Sequence, residues 1–217
     1  MLATALKLLF FVLIVRPLVL LLLGLNVVHR ERLPRQGPAI LAANHNSHLD
    51  TMVLMSLMPL RLLPKVRPVA AADYFLSNRW LAWFSLNVIG IIPLTRLSGV
   101  RKEVLFEACH QALESGHILI IFPEGSRGAP EVMQPLKKGL HHLAKPHQGL
   151  RVIPVVMHGL GKALPKGDPV LVPFNCDVVV GEDVPMADDA EVFMLQLKSA
   201  FMEQIERCMT RPQLQED

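Results

Sequence analysis

The sequence predicts an α/β fold, a layered sandwich with a largely parallel or mixed central sheet, preceded by an N-terminal apolar anchor helix or helix pair. Three observations predict it. Short apolar runs alternate with helical patterns from residue 38 to residue 208, as strand–helix–strand units do. Polar clusters follow those runs at their C-terminal ends, where open α/β sheets build ligand sites. Residues 2–28 are almost wholly apolar.

The anchor comes first. A bilayer span needs about 20 predominantly apolar residues, and residues 2–28 suffice in length. Arg16-Pro17 interrupts them. A central arginine costs roughly 2.5–3.5 kcal/mol on insertion scales, and proline kinks or ends a helix. Two arrangements fit: a kinked transmembrane helix, or two short helices forming a re-entrant or interfacial anchor. A cleaved signal peptide fits less well, because the stretch is too long and lacks a small-residue cleavage site. The basic flank His29-Arg30-Glu31-Arg32 and Arg35 favours retention on the cytoplasmic side. The chain thus divides into an anchor, 1–30, and a domain, 31–217, which is ample for a single core.

Within that domain the pattern predicts a strand at 38–43, a helix at 48–58, a strand at 68–72, a helix at 76–87 and a strand at 88–94. The helix at 100–115 is the clearest: Val104, Leu105, Ala108, Ala112 and Leu113 recur at helical spacing and Gly116 supplies a C-cap. A strand at 117–122, a helix near 135–145, a strand at 151–157 and short strands near 169–172 and 175–180 follow. A closing helix at 188–208 carries Val192, Phe193, Leu197, Phe201 and Ile205 on one face. Trp80, Trp83 and Phe84 fall on the helix before Gly90, where either core packing or a bilayer interface accounts for them.

Composition agrees with a membrane-associated protein. Of 217 residues, 51% are hydrophobic, and the mean hydropathy is positive. The formal net charge is only +3, but residues 61–102 are strongly basic and residues 182–217 strongly acidic. A basic middle faces anionic headgroups or attracts an acidic carrier protein or coenzyme A phosphates. Sparse aromatic interleaving and an apolar anchor argue against nucleic acid. Three cysteines (Cys109, Cys176, Cys208) without a Cys-x-x-Cys pair point to neither a disulfide framework nor a zinc site.

Asn44-His45-Asn46-Ser47-His48-Leu49-Asp50 is the most informative stretch. Five residues along a regular helix diverge by roughly 140°, so His45 and Asp50 meet only if the backbone bends between them. The apolar run 39–43 ends at Asn44, and a helical pattern begins after the capping candidates Asn46 and Ser47. Asp50 in the first helical turn would then accept one ring N–H of His45, fix its tautomer and leave the other nitrogen free as a base. Two further clusters, Gly90-Ile91-Ile92-Pro93-Leu94-Thr95-Arg96 and Phe122-Pro123-Glu124-Gly125-Ser126-Arg127, each place an arginine just past an apolar strand.

With these blocks and the apolar strand Val152-Ile153-Pro154-Val155-Val156, the chain resembles the glycerolipid acyltransferase family, whose bacterial example is lysophosphatidic acid acyltransferase. Four ordered blocks spanning residues 38–159 carry the resemblance, and Phe-Pro-Glu-Gly-x-Arg is the most specific. There are departures. Ile92-Pro93 stands where the family usually has an aromatic, and Gly128-Ala129-Pro130-Glu131 then Leu136-Lys137-Lys138-Gly139 replace the usual basic residue, turn and Phe-Lys-x-Gly.

The resemblance implies an O-acyltransferase domain over residues 31–217 that moves a fatty acyl group from a thioester, acyl-CoA or acyl carrier protein, to a lysolipid hydroxyl. The acceptor it implies is 1-acyl-glycerol 3-phosphate, the product phosphatidic acid. It implies a place on a bacterial-type inner membrane with the domain facing the cytoplasm, and no bound cofactor. His45 and Asp50 are then the catalytic pair. Arg96 and Arg127 suit an acceptor phosphate, since a guanidinium offers a bidentate fork; a solvated face or an ion pair with Glu124 is the alternative. Glu124 orients an arginine or accepts from a glycerol hydroxyl, Gly125 permits a tight turn, and Lys137 is a weaker phosphate candidate. Ser126 lies outside a Gly-x-Ser-x-Gly elbow, so transfer is expected to be direct. Three rivals remain: a larger lysophospholipid or aminolipid acceptor; a metal-dependent lipid hydrolase using His45, His48 and Asp50 with help from His141, His142 or His158; and a lipid-binding protein without chemistry, which an intact His45 and Asp50 disfavour.

Overall fold

Leu2–Leu22 is one helical run, made of α1 (Leu2–Phe10), a π turn (Phe11–Val15) and α2 (Arg16–Leu22). The π turn resolves the Arg16-Pro17 interruption. The Arg16 N–H reaches back to Phe11 O, which places Pro17 in the first turn of α2, where its missing N–H is tolerated. A computed structural model describes residues 2–95, 102–129, 131–164 and 172–211 of the chain.

Lys7, Phe11, Val15 and Val19, four residues apart, form a buried stripe that packs this helix onto the domain. The opposite face is apolar and bare: Leu9, Leu13, Ile14 and Leu20 are exposed, and Leu21 is 82% accessible. Both charges in the helix find backbone partners on the domain. Lys7 Nζ donates to Val66 O (2.7 Å) and Arg16 Nη2 to Met58 O (2.7 Å).

Residues 23–28, read from the sequence as the tail of the anchor, are instead strand β1 (Leu23–Val28). An apolar run does not by itself distinguish strand from helix; here the chain turns extended at Leu23. Gly24 then allows close approach to the next strand, since a Cβ there would stand 2.3 Å from Asn175 Oδ1. Asn26 Nδ2 donates to Asp177 Oδ1 across the same pair (2.7 Å).

The remaining elements are β2 (Ala39–Ala43), α3 (Leu49–Leu57), β3 (Val66–Ala71), α4 (Ala72–Phe75), α5 (Arg79–Phe84), β4 (Ile92–Leu94), α6 (Lys102–Glu114), β5 (Ile118–Ile121), α7 (Gly139–Ala144), β6 (Arg151–His158), α8 (Leu160–Ala163), β7 (Phe174–Val180) and α9 (Ala190–Glu206). The expected helix at 76–87 is shorter and capped, Asn78 Oδ1 accepting from Trp80 N. A π turn at Ser85–Ile89, closed by Gly90 at φ 76°, takes up the start of the expected strand at 88–94. Of the two short strands expected near 169–172 and 175–180, the first falls almost entirely outside the described residues.

The strands form a seven-stranded sheet in the order β1-β7-β6-β2-β5-β3-β4. All neighbours run parallel except β6 and β7, so the sheet is mixed, as expected. β2 is buried at every position, as both-face coverage of a parallel sheet requires. Its alternate residues face two cores. Leu41 and Ala43 join α1, α2 and α3 residues on one side; Ile40 and Ala42 join α6, α7 and α9 residues on the other. The topology sets β6, β2 and β5 side by side, so the loops leaving their C-terminal ends converge.

Burial, and second the Arg67 guanidinium, lower Lys7 from its ordinary 10.5 to about 7. Between those values the unfolded chain holds the proton and the folded one releases it, so stability gained from this group rises with pH across the window. Lys7→Met should therefore be more stable than wild type at pH 7 and below, and the margin should shrink as pH approaches 10.5. Urea midpoints measured across that range check it; a margin independent of pH would contradict the buried, titrating amine.

Candidate active site

Asp50 organises the loop after β2. Its Oδ2 accepts from the backbone N–H of Asn46 (2.7 Å) and of Ser47 (2.8 Å), which draws the chain into the tight turn that opens α3. The same oxygen lies 2.8 Å from His45 Nδ1. Since a carboxylate oxygen only accepts, Nδ1 is the donor, which in the neutral ring leaves Nε2 as the free acceptor. Asp50 is fully buried. Burial pushes its carboxyl up, while His45 and the Ser47 and Asn46 N–H groups oppose the rise.

The loop after β5 completes the pocket around the imidazole. Phe122 stacks on the His45 ring at 4.0 Å between centroids and 19° between planes, fixing the ring against rotation. Glu124 is buried, and its two oxygens accept backbone N–H groups from both loops: Oε1 from His45 (2.7 Å) and Oε2 from Gln134 (2.6 Å). It therefore ties the β2 loop to the β5 loop, and it forms no ion pair with Arg127 among the described residues. Burial raises its carboxyl, with those N–H groups opposing. Gly125 adopts φ 73°, and a Cβ there would come within 2.7 Å of Lys137 Nζ, so the glycine admits the lysine amine to the edge of the site.

Arg127 carries a buried Nη1 with no hydrogen-bond partner among the described residues. Desolvation first, then the Arg127 charge and His45, hold His48 below the usual histidine range. Arg96 lies outside the described residues. Lys137 is exposed, and its N–H donates to Pro123 O (2.8 Å), which keeps its segment beside the β5 loop. Ser126 is exposed. His141 Nε2 is engaged with Ala187 O (2.9 Å) and His158 Nδ1 with Thr210 Oγ1 (2.7 Å). Among the described residues no three metal-ligating side chains are grouped.

Sequence reasoning missed several contributors. Asn44 pairs through its side chain with both polar groups of Met157 (2.7 and 2.8 Å), extending the β2–β6 contact past the last strand residue. Asn46 Nδ2 donates to Met157 O (2.8 Å) and to Glu131 Oε2 (3.0 Å). Glu131, at φ 60°, also accepts from Gly161 N (3.0 Å) and stands 3.7 Å from His158 Nε2. The two asparagines flank the histidine and were visible as polar residues after an apolar run. Glu131 had no signal, because its partners lie 85 and 30 residues away.

The arrangement presents one nucleobasic nitrogen, oriented by a buried carboxylate, beside cationic groups able to receive an anion. Residues 24–158 match the family model described as Acyltransferase. The chain is 27% identical over 144 residues to the chloroplastic 1-acyl-sn-glycerol-3-phosphate acyltransferase LPAT1 of Arabidopsis thaliana, covering 66% of this chain and 38% of that protein. It is 28% identical over 196 residues to the alpha 1-acyl-sn-glycerol-3-phosphate acyltransferase of Mus musculus, covering 81% of this chain and 65% of that one. The chain thus spans less than two thirds of the length of either relative. The crystal structure of PlsC, the 1-acyl-sn-glycerophosphate acyltransferase of Thermotoga maritima, shares the fold with a TM-score of 0.74 at 20% identity, over 92% of this chain and 78% of that one.

The Glu124 bridge carries a stability prediction. Glu124→Gln would set an NH2 against one of the two backbone N–H groups and strand it. Unfolding free energy should fall by about 1–3 kcal/mol, the cost of a buried unsatisfied donor. Urea denaturation monitored by tryptophan fluorescence reads this; an unchanged midpoint would mean the two loops are held by other contacts.

Proposed function

The chain belongs to the acyltransferase family, and from that premise we propose that it transfers a fatty acyl group from an acyl thioester to the free hydroxyl of 1-acyl-glycerol 3-phosphate, giving phosphatidic acid at a membrane surface. The observation that carries the reading is the 2.8 Å His45–Asp50 contact at the carboxyl end of β2, in a ring held by Phe122. The names of the curated relatives support the acceptor.

His45 Nε2 removes the proton of the acceptor hydroxyl as its oxygen attacks the thioester carbonyl. The Asp50 carboxylate stabilises the imidazolium that forms. The new C–O bond is made, the C–S bond breaks, and the imidazolium proton goes to the departing thiolate, so no acyl-enzyme is needed. Arg127, with a donor to spare, and Lys137 receive the acceptor phosphate; Arg96 is proposed for the same task. Glu124 and Gly125 act by shaping the loop that carries Arg127. The thioester, of coenzyme A or of an acyl carrier protein, is a co-substrate, and no bound cofactor is required.

The same reading places the protein on a bilayer rather than through it. A stripe of Leu2–Leu22 is committed to the domain core, and β1 follows immediately. Its bare apolar face adjoins α5, where Phe84 packs edge-on to Phe10 (5.1 Å) and Trp80 and Trp83 are exposed. Interfacial tryptophans and an apolar face of this kind suit a helix lying in the headgroup boundary. The basic flank at 29–35 suits the cytoplasmic leaflet.

The test is a transfer assay on purified protein in detergent, with labelled acyl thioester and a panel of lysolipids, with and without EDTA. Product on lysophosphatidic acid that is indifferent to EDTA is expected; fatty acid released without transfer, and lost on chelation, would overturn the reading in favour of a metal-dependent hydrolase. His45→Ala should cut transfer by about 10²- to 10⁴-fold while the protein still folds. Arg127→Ala should chiefly raise KM for phosphate-bearing acceptors; a fall in kcat with KM unchanged would assign it to support of the site.

A further inference from the structure

A cleft of about 630 Å³ opens where the anchor helix meets the linker into β2. Its charged wall is Arg16, Arg30 and Arg35, and its apolar floor is Leu33, Leu57 and Leu60. It lies beside the end of α3 and the segment that enters β2, whereas His45 follows the opposite end of β2. It is separate from the catalytic pocket.

We propose that this cleft is a second lipid site, which holds the phosphate headgroup of an anionic phospholipid of the surrounding bilayer. The inference rests on the membrane-surface reading above. Its first support is charge without compensation. Among the described residues no carboxylate pairs with Arg16, Arg30 or Arg35, and the one acid on the wall, Glu31, sits 3.4 Å from His29. The second is preorganisation. Arg16 Nη2 donates to Met58 O (2.7 Å) and Arg30 Nη2 to Leu57 O (3.2 Å), so the carbonyls at the end of α3 fix two guanidiniums in place. Each guanidinium has five N–H donors, and these bonds use one apiece.

The third support is an unfilled donor: Arg16 Nε is buried with no hydrogen-bond partner among the described residues. A buried charged N–H without an acceptor is costly, and a phosphate oxygen is the acceptor a guanidinium fork suits best. The fourth is position. Leu20 and Leu21 on α2 are 77% and 82% exposed, and Leu60 on the cleft floor is partly bare, so a headgroup in the cleft can leave its acyl chains along an apolar surface. A zwitterionic headgroup would bring a cation toward three arginines, which favours a net negative lipid.

Vesicle flotation of the full chain tests this, with phosphatidylcholine alone and with phosphatidylglycerol added, a lipid that is neither acceptor nor product of the proposed reaction. Arg30→Gln/Arg35→Gln is compared with Arg61→Gln/Lys65→Gln, an equal charge change at exposed positions outside the cleft. The cleft pair should lose about 10- to 30-fold of the phosphatidylglycerol-dependent binding, on the scale expected for two basic residues near an anionic surface. Its binding to phosphatidylcholine should be unchanged, and the control pair should lose far less. Equal losses in both pairs, or none in the cleft pair, would overturn the site in favour of a diffuse field. Inorganic phosphate that displaces the increment where chloride of matched ionic strength does not would make it a free-phosphate site and overturn the lipid assignment. Failure of the wild type to float with either vesicle would instead overturn the membrane reading and this inference with it.

Discussion

One oxygen holds the centre of this protein together. Asp50 Oδ2 accepts from two successive backbone N–H groups and from the His45 ring, and it does so with no exposure to water. Burying a carboxylate is costly unless donors replace its hydration. Here the replacement donors are the ones that bend the chain between β2 and α3. The turn, the helix start and the imidazole tautomer are thus one arrangement, and losing the carboxylate would loosen all three.

The same device recurs around the site. Glu124 bridges the β2 and β5 loops by accepting one N–H from each, and Glu131 joins the β2 loop to the start of α8. Burial raises the carboxyls of Asp50, Glu124 and Glu131 alike, and neighbouring backbone N–H groups counter that rise in each case. These carboxylates give the loops at the carboxyl ends of β6, β2 and β5 defined geometry while leaving polar faces for a substrate. Arg127 remains outside this network, with a buried donor unspent.

The N-terminal helix is long and apolar enough to cross a membrane, yet both of its charges are turned to the domain. Lys7 and Arg16 would each be unfavourable in the middle of a span. Both instead donate to carbonyls of the domain, and the apolar residues four apart from Lys7 enter the core. The helix is therefore a layer of the fold with one greasy outer face. In the proposed lipid site, the arginines where it meets the linker into β2 would extend the same logic to headgroup phosphate.

The residues 44–50 and 122–127 could be read from the sequence because their chemistry is local: a polar cluster follows an apolar run, and five positions suffice to bring His45 to Asp50. Strand–helix alternation was legible for the same reason, each element carrying its own periodicity. Strand β1 was not, because the short alternation of Leu23, Leu25 and Val27 with Gly24 and Asn26 directly continues an apolar helix, and only pairing with β7 decides it. Nor was the role of Glu124, which the sequence offers as a partner for arginine, since its two acceptors are filled by N–H groups 79 and 10 residues away. The sequence by itself determined which groups are present for chemistry and in which order. Tertiary structure alone decided which of them face one another, because backbone donors look alike in every residue and only the packed sheet brings distant ones to the same carboxylate.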